Sequence, residues 1–592
     1  MAEIYINGQP CVVEDHVTVL DAARQLGLFL PTLCKMENRS AIGACRLCVV
    51  EIEGARTLQV ACATPVRDGM EIFTQSRRVR EARQMIVELL LSEHCGDCQT
   101  CERSGDCELQ DIAREMGIRE VRFEGERLPC EIDDSTPALI RDSGKCIKCR
   151  RCVTVCGDTQ AVGALFPQGR GFDTRIGPAF SMDLDEVPCV QCGQCAAVCP
   201  VGAITERDHI DGVWEALQDE KKHVVVQTAP AIRAALGECF GYEAGTLVTG
   251  KMTSALRMLG FDGVFDTNFT ADLTIMEEGT ELLNRLKKAL VDHAQVALPM
   301  FTSCSPGWIR FAEFFYPNFL PNLSTCKSPQ QMFGAVAKTY YAKKMGIPAE
   351  DLTVVSVMPC TAKKFEAQRS EMNDSGVQDV DYVLTTRELA EMIQSAGIDF
   401  KSLKNGKMDA PMGLSSGAAD IFANTGGVME AAIRTAYELV TGRPLPMDNL
   451  HVQPVIGLEG IKEAALKIEN PLPEWAFLDG VEMRVAVAHG LNNARKVMEA
   501  IKSGYKTYHF VEVMTCPGGC IGGGGQPRFT DDSVRLKRIN AIYQEDEGKE
   551  LRTSHNNPQV AQIYKEFLGE PLGERSHHLL HTHYMPAKCP SD

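Results

Sequence analysis

Cysteine spacing constrains this chain more than any other feature. Two segments carry the pattern C-x2-C-x2-C-x3-C, with proline directly after the second and Gly157 after the first. In this spacing the fourth cysteine of each set binds the other cluster of a pair. The spacing predicts two 4Fe-4S clusters rather than zinc sites, because zinc sites do not need this exchange of the fourth ligand between two sites. The predicted ligand sets are Cys146, Cys149, Cys152 and Cys199 for one cluster, and Cys189, Cys192, Cys195 and Cys156 for the other.

A separate group of cysteines lies near the N-terminus, after an alternating strand from Ile4 to Ile6 and a helix-like stretch, DAARQLGLFL. Four thiolates suit a 2Fe-2S cluster, although the first gap is longer than the four residues of plant-type ferredoxins. The predicted ligands are Cys34, Cys45, Cys48 and Cys62, in a domain over residues 1–77.

A third group follows the helical stretch REARQMIVELLLSEH. Three thiolates and one imidazole suit a single 4Fe-4S cluster. The predicted ligands are His94, Cys98, Cys101 and Cys107, in a domain over residues 78–137. Cys95 stands beside His94 and competes with it for the fourth position, so the three other cysteines are the firmer part of the prediction.

Length and composition limit the class of protein. A chain of 592 residues is too long for one core, and 25 cysteines without a secretory leader indicate metal ligands in a reducing cytoplasm rather than disulfides. No run of about 18 apolar residues predicts a membrane span. A net charge of -18 argues against a nucleic-acid partner.

From Lys222 onward, strand-like runs alternate with helical ones, which predicts a mostly parallel α/β domain over residues 213–526. Three apolar runs end at cysteines, and VVVQTAP ends at Pro230 in an equivalent position. Ligand sites of such sheets lie beyond the carboxyl ends of the strands. We therefore predict a metal centre there, formed by Cys304, Cys360, Cys516 and Cys520.

The remaining segment, residues 527–592, predicts a helical wrap. Four histidines near its end lack an accompanying carboxylate or thiol pattern, so docking is favoured over a metal site; they are His577, His578, His581 and His583. No G-x-G-x-x-G motif follows a strand, so any nicotinamide must bind to a partner.

TSCSPGW, MPCTAKKFE and EVMTCPGGCIGGGGQP together resemble the active-site signatures of FeFe-hydrogenases. The N-terminal groups resemble the large modular members and the large iron–sulfur subunit of respiratory complex I. The resemblance implies a multidomain α/β and α+β protein: a β-grasp 2Fe-2S ferredoxin domain, a His/Cys 4Fe-4S domain, a two-cluster ferredoxin domain over 138–212, and an α/β H-cluster domain with the helical C-terminal wrap. Its reaction would be the reversible conversion of H2 into protons and electrons.

The resemblance also implies cofactors and ligands. They are a 2Fe-2S cluster, three 4Fe-4S clusters and an H-cluster, a 4Fe-4S cubane joined to a di-iron unit with carbonyl, cyanide and aminodithiolate ligands. Cys360 and Cys516 would bind the cubane and Cys520 would bridge to the di-iron unit. The remaining ligand position, usually cysteine, is Ser305, after the proton relay Cys304. Three outcomes stay open: serine ligates, Cys304 ligates instead of relaying protons, or the cluster is incomplete.

By the same resemblance, protons would pass from Cys304 to Glu278, Ser324, Glu281 and Arg285. From spacing alone, the two glutamates would instead form a solvated acidic face of a helix. Lys363 would hydrogen bond to a cyanide, and Met358 and Met514 would pack around the di-iron unit. Cys326 is interpreted as a buried structural cysteine.

Electrons would leave through the N-terminal clusters to ferredoxin or to a flavin subunit that uses NAD(P)(H), and maturation proteins would install the H-cluster. The rival hypothesis is a non-turnover protein, either sensor-like or arrested by Ser305. A complex I subunit and a cluster-assembly protein are weaker alternatives, since each matches only part of the chain.

Overall fold

The computed structural model describes residues 1–125, 127 and 131–587. Its N-terminal module is a mixed sheet of order β2-β1-β5-β3-β4. The elements are β1 Ala2–Ile6, β2 Gln9–Val13, α1 Val19–Gln25, β3 Val49–Ile52, β4 Gln59–Val60 and β5 Glu71–Phe73. Asn7 and Gly8 join β1 to β2 with φ angles of 51° and 79°, as a two-residue hairpin turn requires.

Helix α1 is shorter than the sequence predicts. Its N-terminus is fixed by a capping box between Thr18 and Asp21, and the helix ends at Gln25. Gly27 then adopts a φ of 72°, which stops the helix before the rest of DAARQLGLFL. The residues up to Leu33 are therefore loop, and they lead directly to Cys34.

The next two modules share one apolar core, which extends from Leu33 to Ile204. Their elements are α2 Arg77–Glu93, α3 Glu108–Glu115, β6 Ile132–Asp133, β7 Leu139–Asp142, α4 Arg151–Thr154, β8 Phe166–Gln168, β9 Arg175–Gly177, α5 Gln194–Val198, β10 Ile204–Glu206 and α6 Ile210–Gln218. The small sheets have the orders β10-β7-β6 and β8-β9. Since the two modules pack together, their metal-binding loops are held at fixed separations.

The large domain contains two four-stranded sheets rather than the single sheet that the sequence predicts. One has the order β12-β11-β14-β15 and the other β13-β18-β17-β16. The strands are β11 His223–Thr228, β12 Gly263–Asp266, β13 Met300–Phe301, β14 Leu352–Met358, β15 Tyr382–Thr385, β16 Ile461–Lys467, β17 Glu482–His489 and β18 Phe510–Met514. All pairs are parallel except β16 with β17, which confirms the mostly parallel prediction.

Helices cover both sheets. They are α7 Thr249–Leu259, α8 Thr267–Leu290, α9 Pro306–Phe315, α10 Pro329–Val336, α11 Ala342–Met345, α12 Ala362–Ala367, α13 Thr386–Ser395, α14 Gly417–Asp420, α15 Gly427–Thr441 and α16 Leu491–Lys502. Strand β11 is followed by the segment AIRAALGECF, one of the helical runs that the alternation after Lys222 predicts, but it forms two short 3-10 turns, Ile232–Ala234 and Leu236–Phe240, instead of a continuous helix.

The C-terminal segment is helical and packs on the large domain, as predicted. Its helices are α17 Asp532–Glu547, α18 Pro558–Ile563 and α19 Glu574–Leu580. The buried guanidinium of Arg538 donates two 2.7 Å hydrogen bonds to Glu238 and one to the carbonyl of Ile521. The segment therefore holds the loop that contains Cys520.

Candidate metal centres and proton path

The four N-terminal cysteines face one another in two contacting pairs. Cys34 pairs with Cys45, and Cys48 pairs with Cys62, and all four are buried. The hydrogen bond from Cys45 lowers the pKa of the Cys34 thiol to about 6. A sulfur that ionises readily is the form that binds iron. The structure thus brings together the predicted 2Fe-2S ligand set.

His94, Cys98, Cys101 and Cys107 line one small cavity, as the sequence predicts, but Cys95 lines it as well. Burial lowers the pKa of His94, which favours the neutral ring that ligates metals. The Gly96 amide contacts its Nδ1 at 3.1 Å and orients the ring. The choice between His94 and Cys95 remains a prediction.

The ferredoxin-type loops bring together the crossed ligand sets. One cavity of about 20 Å3 is lined by Cys146, Cys149, Cys152 and Cys199. At the second set, the charges of Cys189 and Cys156 both raise the pKa of Cys195, which requires the three thiols to be close. Lys148 and Gln191 have left-handed backbones, with φ of 56° and 54°, inside the tight C-x2-C turns.

The second of these loops contacts the large domain. The side chain of Gln194 donates to the carbonyl of Gly522 at 2.9 Å and also hydrogen bonds to Cys516. At Gly524 a Cβ atom would lie 2.3 Å from the carbonyl oxygen of Cys192, so only glycine permits this approach. Two predicted metal sites are thus adjacent across the domain boundary.

The main site is a cavity of about 80 Å3 between the two sheets. Its walls include Pro230, which the strand pattern placed there, and every residue that the resemblance placed around the H-cluster: Cys304, Ser305, Met358, Cys360, Lys363, Met514, Cys516 and Cys520. Cys360 follows β14 of one sheet, whereas Cys304 and Cys516 follow β13 and β18 of the other. The carboxyl ends of parallel strands from two sheets therefore meet at this cavity.

Burial raises the pKa of the thiols in this cavity, to about 12 at Cys520. Lys363 counters this effect, because its positive charge lowers the pKa of Cys360 and Cys520. The ammonium of Lys363 donates to the carbonyl of Cys304 at 3.1 Å and pairs with Glu366 at 2.8 Å. A positive charge is thus fixed beside the thiols of Cys360 and Cys520 and favours their anionic, iron-binding form.

Ser305 lies in the same wall as these cysteines and precedes α9. Its Oγ is 2.7 Å from Oγ1 of Thr515 and accepts a hydrogen bond from the Thr515 amide at 3.2 Å. The serine oxygen is therefore attached to the residue that precedes Cys516.

Glu278 and Glu281 are buried on α8, at 2% and 8% exposure, so the solvated-face interpretation from spacing is wrong. Desolvation, followed by the charge of Glu281, raises the pKa of Glu278 to about 8. Ser324 lies close enough to Glu278 to lower the pKa of that carboxyl, and it donates to Glu281 at 2.9 Å. Arg285 binds Glu281 at 2.6 Å. A hydrogen-bonded chain thus runs from Ser324 through Glu281 to Arg285, with Glu278 beside its inner end.

Cys304 adjoins the inner end of this chain. Burial, with the charge of Glu278 next in size, raises the pKa of its thiol. No direct hydrogen bond joins Cys304 to Glu278 in the described part of the chain.

Sequence reasoning missed two residues at this site. Glu366 accepts hydrogen bonds from Lys363, Ser328 and Gln330, and Thr515 holds Ser305. The spacing of three between Lys363 and Glu366 in the helical stretch TAKKFE was an available signal for the first. Thr515 gave no such signal, since its contact lies 210 positions from its partner in sequence.

Among the described residues, no helix is both long enough and apolar enough to cross a membrane.

Family models match most of the chain. The model described as iron only hydrogenase large subunit, C-terminal domain, matches residues 222–524, and that described as iron hydrogenase small subunit matches 532–587. A 2Fe-2S iron-sulfur cluster binding domain matches 1–77, the NADH-ubiquinone oxidoreductase-G iron-sulfur binding region matches 83–122, and a 4Fe-4S dicluster domain matches 145–203.

Individual relatives span the same modules. The chain is 51% identical to NADP-reducing hydrogenase subunit HndD of Solidesulfovibrio fructosivorans, over 99% of both chains. It is 40% identical to iron hydrogenase 1 of Clostridium pasteurianum, over 99% of this chain and 100% of the relative. A solved variant of FeFe-hydrogenase HydA1 from Chlamydomonas reinhardtii superimposes with a TM-score of 0.58 at 45% identity, and covers 64% of this chain and 99% of its own.

Proposed function

This chain belongs to the iron-only hydrogenase family, and on that premise we propose which of its residues perform hydrogenase chemistry. The chain is a hydrogenase with 2Fe-2S and 4Fe-4S domains and an H-cluster domain. The observation that carries the assignment of residues is the cavity that four cysteines and Lys363 line, one of which, Cys304, lies beside the buried carboxylate Glu278. When bound there, the H-cluster supplies the iron at which H2 is cleaved.

The donor set of the cavity fits that group. Cys360 and Cys516 are the proposed cubane ligands, and Cys520 is the proposed bridging ligand. Cys360 and Cys520 lie beside the positive charge of Lys363. Cys516 lies beside Cys360 and Cys520. Gln330 also lines the cavity, and its Oε1 has no hydrogen-bond partner within the described residues. An unpartnered buried oxygen is accounted for if a polar group occupies the space.

Ser305 is the proposed fourth cubane ligand. Ser305 lines the cavity, and its oxygen lies next to the strand end that precedes Cys516. The amide of Thr515 donates to that oxygen, and such a bond stabilises a developing alkoxide. Cys304 then keeps its thiol for proton transfer, which is the first of the three outcomes left open by the sequence.

The proposed proton path is Cys304, Glu278, Ser324, Glu281 and Arg285. Its support is the hydrogen-bonded sequence from Ser324 through Glu281 to Arg285, the position of Glu278 beside Ser324, and the raised pKa of Glu278, which makes that carboxyl a proton donor near neutral pH. Met358, Met514 and Pro230 exclude water from the cavity.

The proposed electron path starts at the main cavity and passes the second ferredoxin-type site, since Cys192 and Cys516 lie close enough for the charge of Cys516 to raise the pKa of Cys192. Beyond it lie the proposed sites around Cys146, around Cys98 and around Cys34. Their shared core keeps them in fixed positions.

A flavin subunit that binds NAD(P)(H), or ferredoxin, is the proposed acceptor at the N-terminal end. The relative from Solidesulfovibrio fructosivorans is named as a subunit of an NADP-reducing hydrogenase, which supports the first of these. Maturation proteins would load the H-cluster. A cytoplasmic location is proposed because so many free thiols survive only in a reducing compartment.

The test is H2-dependent viologen reduction by anaerobically matured protein, with Ser305→Cys prepared alongside. Comparable turnover by both proteins is the expected result. Activity of the cysteine variant alone would show that the natural chain is an arrested hydrogenase.

A further inference from the structure

A second cluster of metal-binding side chains lies beside the proton path. It consists of Glu281, Cys326 and His581, whose donor atoms all lie within 4.8 Å of one another. All three residues are buried. The cluster joins α8, the loop before α10 and the end of the C-terminal segment. Its residues are far apart in the sequence, so no local sequence pattern indicates the cluster.

Backbone pairing fixes this cluster. Cys326 and His581 form an isolated antiparallel β-bridge. On either side of it, the Lys327 amide donates to the carbonyl of Leu580 at 2.8 Å and the Thr582 amide donates to that of Thr325 at 2.7 Å. The backbone positions that carry the thiol and the imidazole are therefore held side by side before any ligand binds.

Glu277 sets the tautomer of His581. Its carboxylate accepts from Tyr564 at 2.6 Å and from the Leu572 amide at 2.7 Å, and it lies 3.1 Å from Nε2 of His581. Since a carboxylate only accepts, Nε2 carries the proton, and the lone pair of Nδ1 accepts a 2.8 Å hydrogen bond from the Thr325 hydroxyl that a cation would replace. That Nδ1 is 3.9 Å from the sulfur of Cys326. A carboxylate behind a histidine is the usual support of a metal ligand.

Charge in the cluster favours a cation. Glu277, Glu278 and Glu281 surround the sulfur of Cys326, and burial together with these charges raises the pKa of its thiol. Arg285 is the one guanidinium bound to Glu281 among the described residues, and it lies on the far side of that carboxylate from Ser324. His577 is exposed and stacks on His581 with ring centroids 4.7 Å apart, so the cluster lies just below the surface.

We propose that Cys326, His581 and Glu281 bind a divalent zinc-class cation, and that the cation stops proton transfer by occupying Glu281. Thiolate, imidazole and carboxylate together are zinc ligands, at distances of about 2.0 to 2.3 Å. Binding releases the thiol proton of Cys326 to solvent and leaves the Thr325 hydroxyl, 2.8 Å from Nδ1 of His581, or a water as the fourth ligand. The proposed inhibition of proton transfer rests on the proposed function, whereas the proposed binding of zinc by these residues does not.

The experiment adds ZnCl2 to the full-length, matured protein with all clusters loaded. Bound zinc is measured by elemental analysis after gel filtration and its ligands by zinc K-edge X-ray absorption, while H2-dependent viologen reduction is followed in parallel. The variants are Cys326→Ala and His581→Gln, and the control is Cys11→Ala, which removes a buried thiol in β2. Each rate is expressed relative to the rate of the same protein without added zinc.

The expected result is one tightly bound zinc with a sulfur and a nitrogen ligand, a rate at least tenfold lower, and recovery with a chelator. Both site variants should need at least tenfold more zinc for the same binding and inhibition, and the control should match the unaltered chain. Equal zinc binding in all four proteins would overturn the site. If zinc is bound by these ligands and the rate of H2 oxidation is unchanged, the proposed block of proton transfer is overturned and the binding site is retained. The binding data remain decisive if the chain proves inactive.

Discussion

The Oγ of Ser305 lies 2.7 Å from Oγ1 of Thr515 and accepts a hydrogen bond from the Thr515 amide. A loop at the start of α9 is thereby attached to the carboxyl end of β18, immediately before Cys516. This contact places an oxygen donor in the wall of a cavity that four cysteines also line, three of them the proposed cluster ligands Cys360, Cys516 and Cys520. The ligand field of the proposed cubane is consequently asymmetric.

Ser305→Ala should remove the fourth donor and lower the cubane content of the reconstituted protein, whereas Ser305→Cys should retain it with a shifted electron paramagnetic resonance spectrum. The reason is that a thiolate is a softer iron ligand than an alkoxide. Thr515→Val is the matched control, because the backbone amide that holds Ser305 remains. Identical spectra for the alanine variant and the unaltered chain would show that serine does not ligate.

Glu278→Gln should lower H2 oxidation by roughly 100-fold or more, since general acid–base groups contribute about 10² to 10⁴ in rate. Asp272→Asn is the control: it is also a buried carboxylate of α8, but it binds Ser416 and Asn557 away from the path. Its turnover should stay within a few-fold of that of the unaltered chain. A larger loss in the control than in Glu278→Gln would contradict the proposed path.

The raised pKa of Glu278 predicts a pH dependence of stability. Its value of about 8 exceeds the unfolded value of about 4.3, so the folded chain holds an extra proton between the two. This contribution is fully present below about pH 4.3 and is lost as the pH rises through 8. Thermal unfolding midpoints from pH 6 to 9, at one scan rate, should fall less in Glu278→Gln than in the unaltered chain. Parallel curves would refute the assignment.

Cys189→Ser should uncouple electron exit from H2 cleavage. The second ferredoxin-type site adjoins the main cavity through Gln194 and Gly522. Loss of its cluster should reduce ferredoxin reduction at least tenfold, while exchange between H2 and D2O, which needs no external acceptor, stays within a few-fold. Cys11→Ser serves as the control, and equal loss of both activities would argue against this electron path.

Arg538→Ala should destabilise the large domain by roughly 3 kcal/mol, because it leaves Glu238 without its buried partner. Chemical denaturation, monitored by a signal from the large domain, would measure the change in its free energy of unfolding. Arg575→Ala, at an exposed residue of α19, is the control and should change stability by less than about 0.5 kcal/mol. Equal effects would mean that the Arg538 contact does not anchor the segment.

The sequence predicted the module order, the mostly parallel sheet and the strand-end cysteines because those signals are local, whereas Ser305, Met358, Lys363 and Met514 were placed at the cavity by the resemblance to FeFe-hydrogenases. The C-x2-C-x2-C-x3-C repeats place their ligands within one loop, and apolar runs that end at Cys360 and Cys516 mark strand ends. The helix-like stretch DAARQLGLFL extends beyond the real end of α1, because the left-handed backbone of Gly27 stops the helix at Gln25.

Tertiary structure decided what depends on distant contacts. Burial of Glu278 and Glu281 follows from the position of α8 between the sheets and the C-terminal segment, and spacing alone indicated the opposite. The partner of Ser305, the split of the large domain into two sheets and the meeting of Cys326 with His581, 255 positions apart, were invisible in the sequence. Local propensity and spacing fix which residues can ligate, but only packing fixes which of them meet and how far each is removed from water.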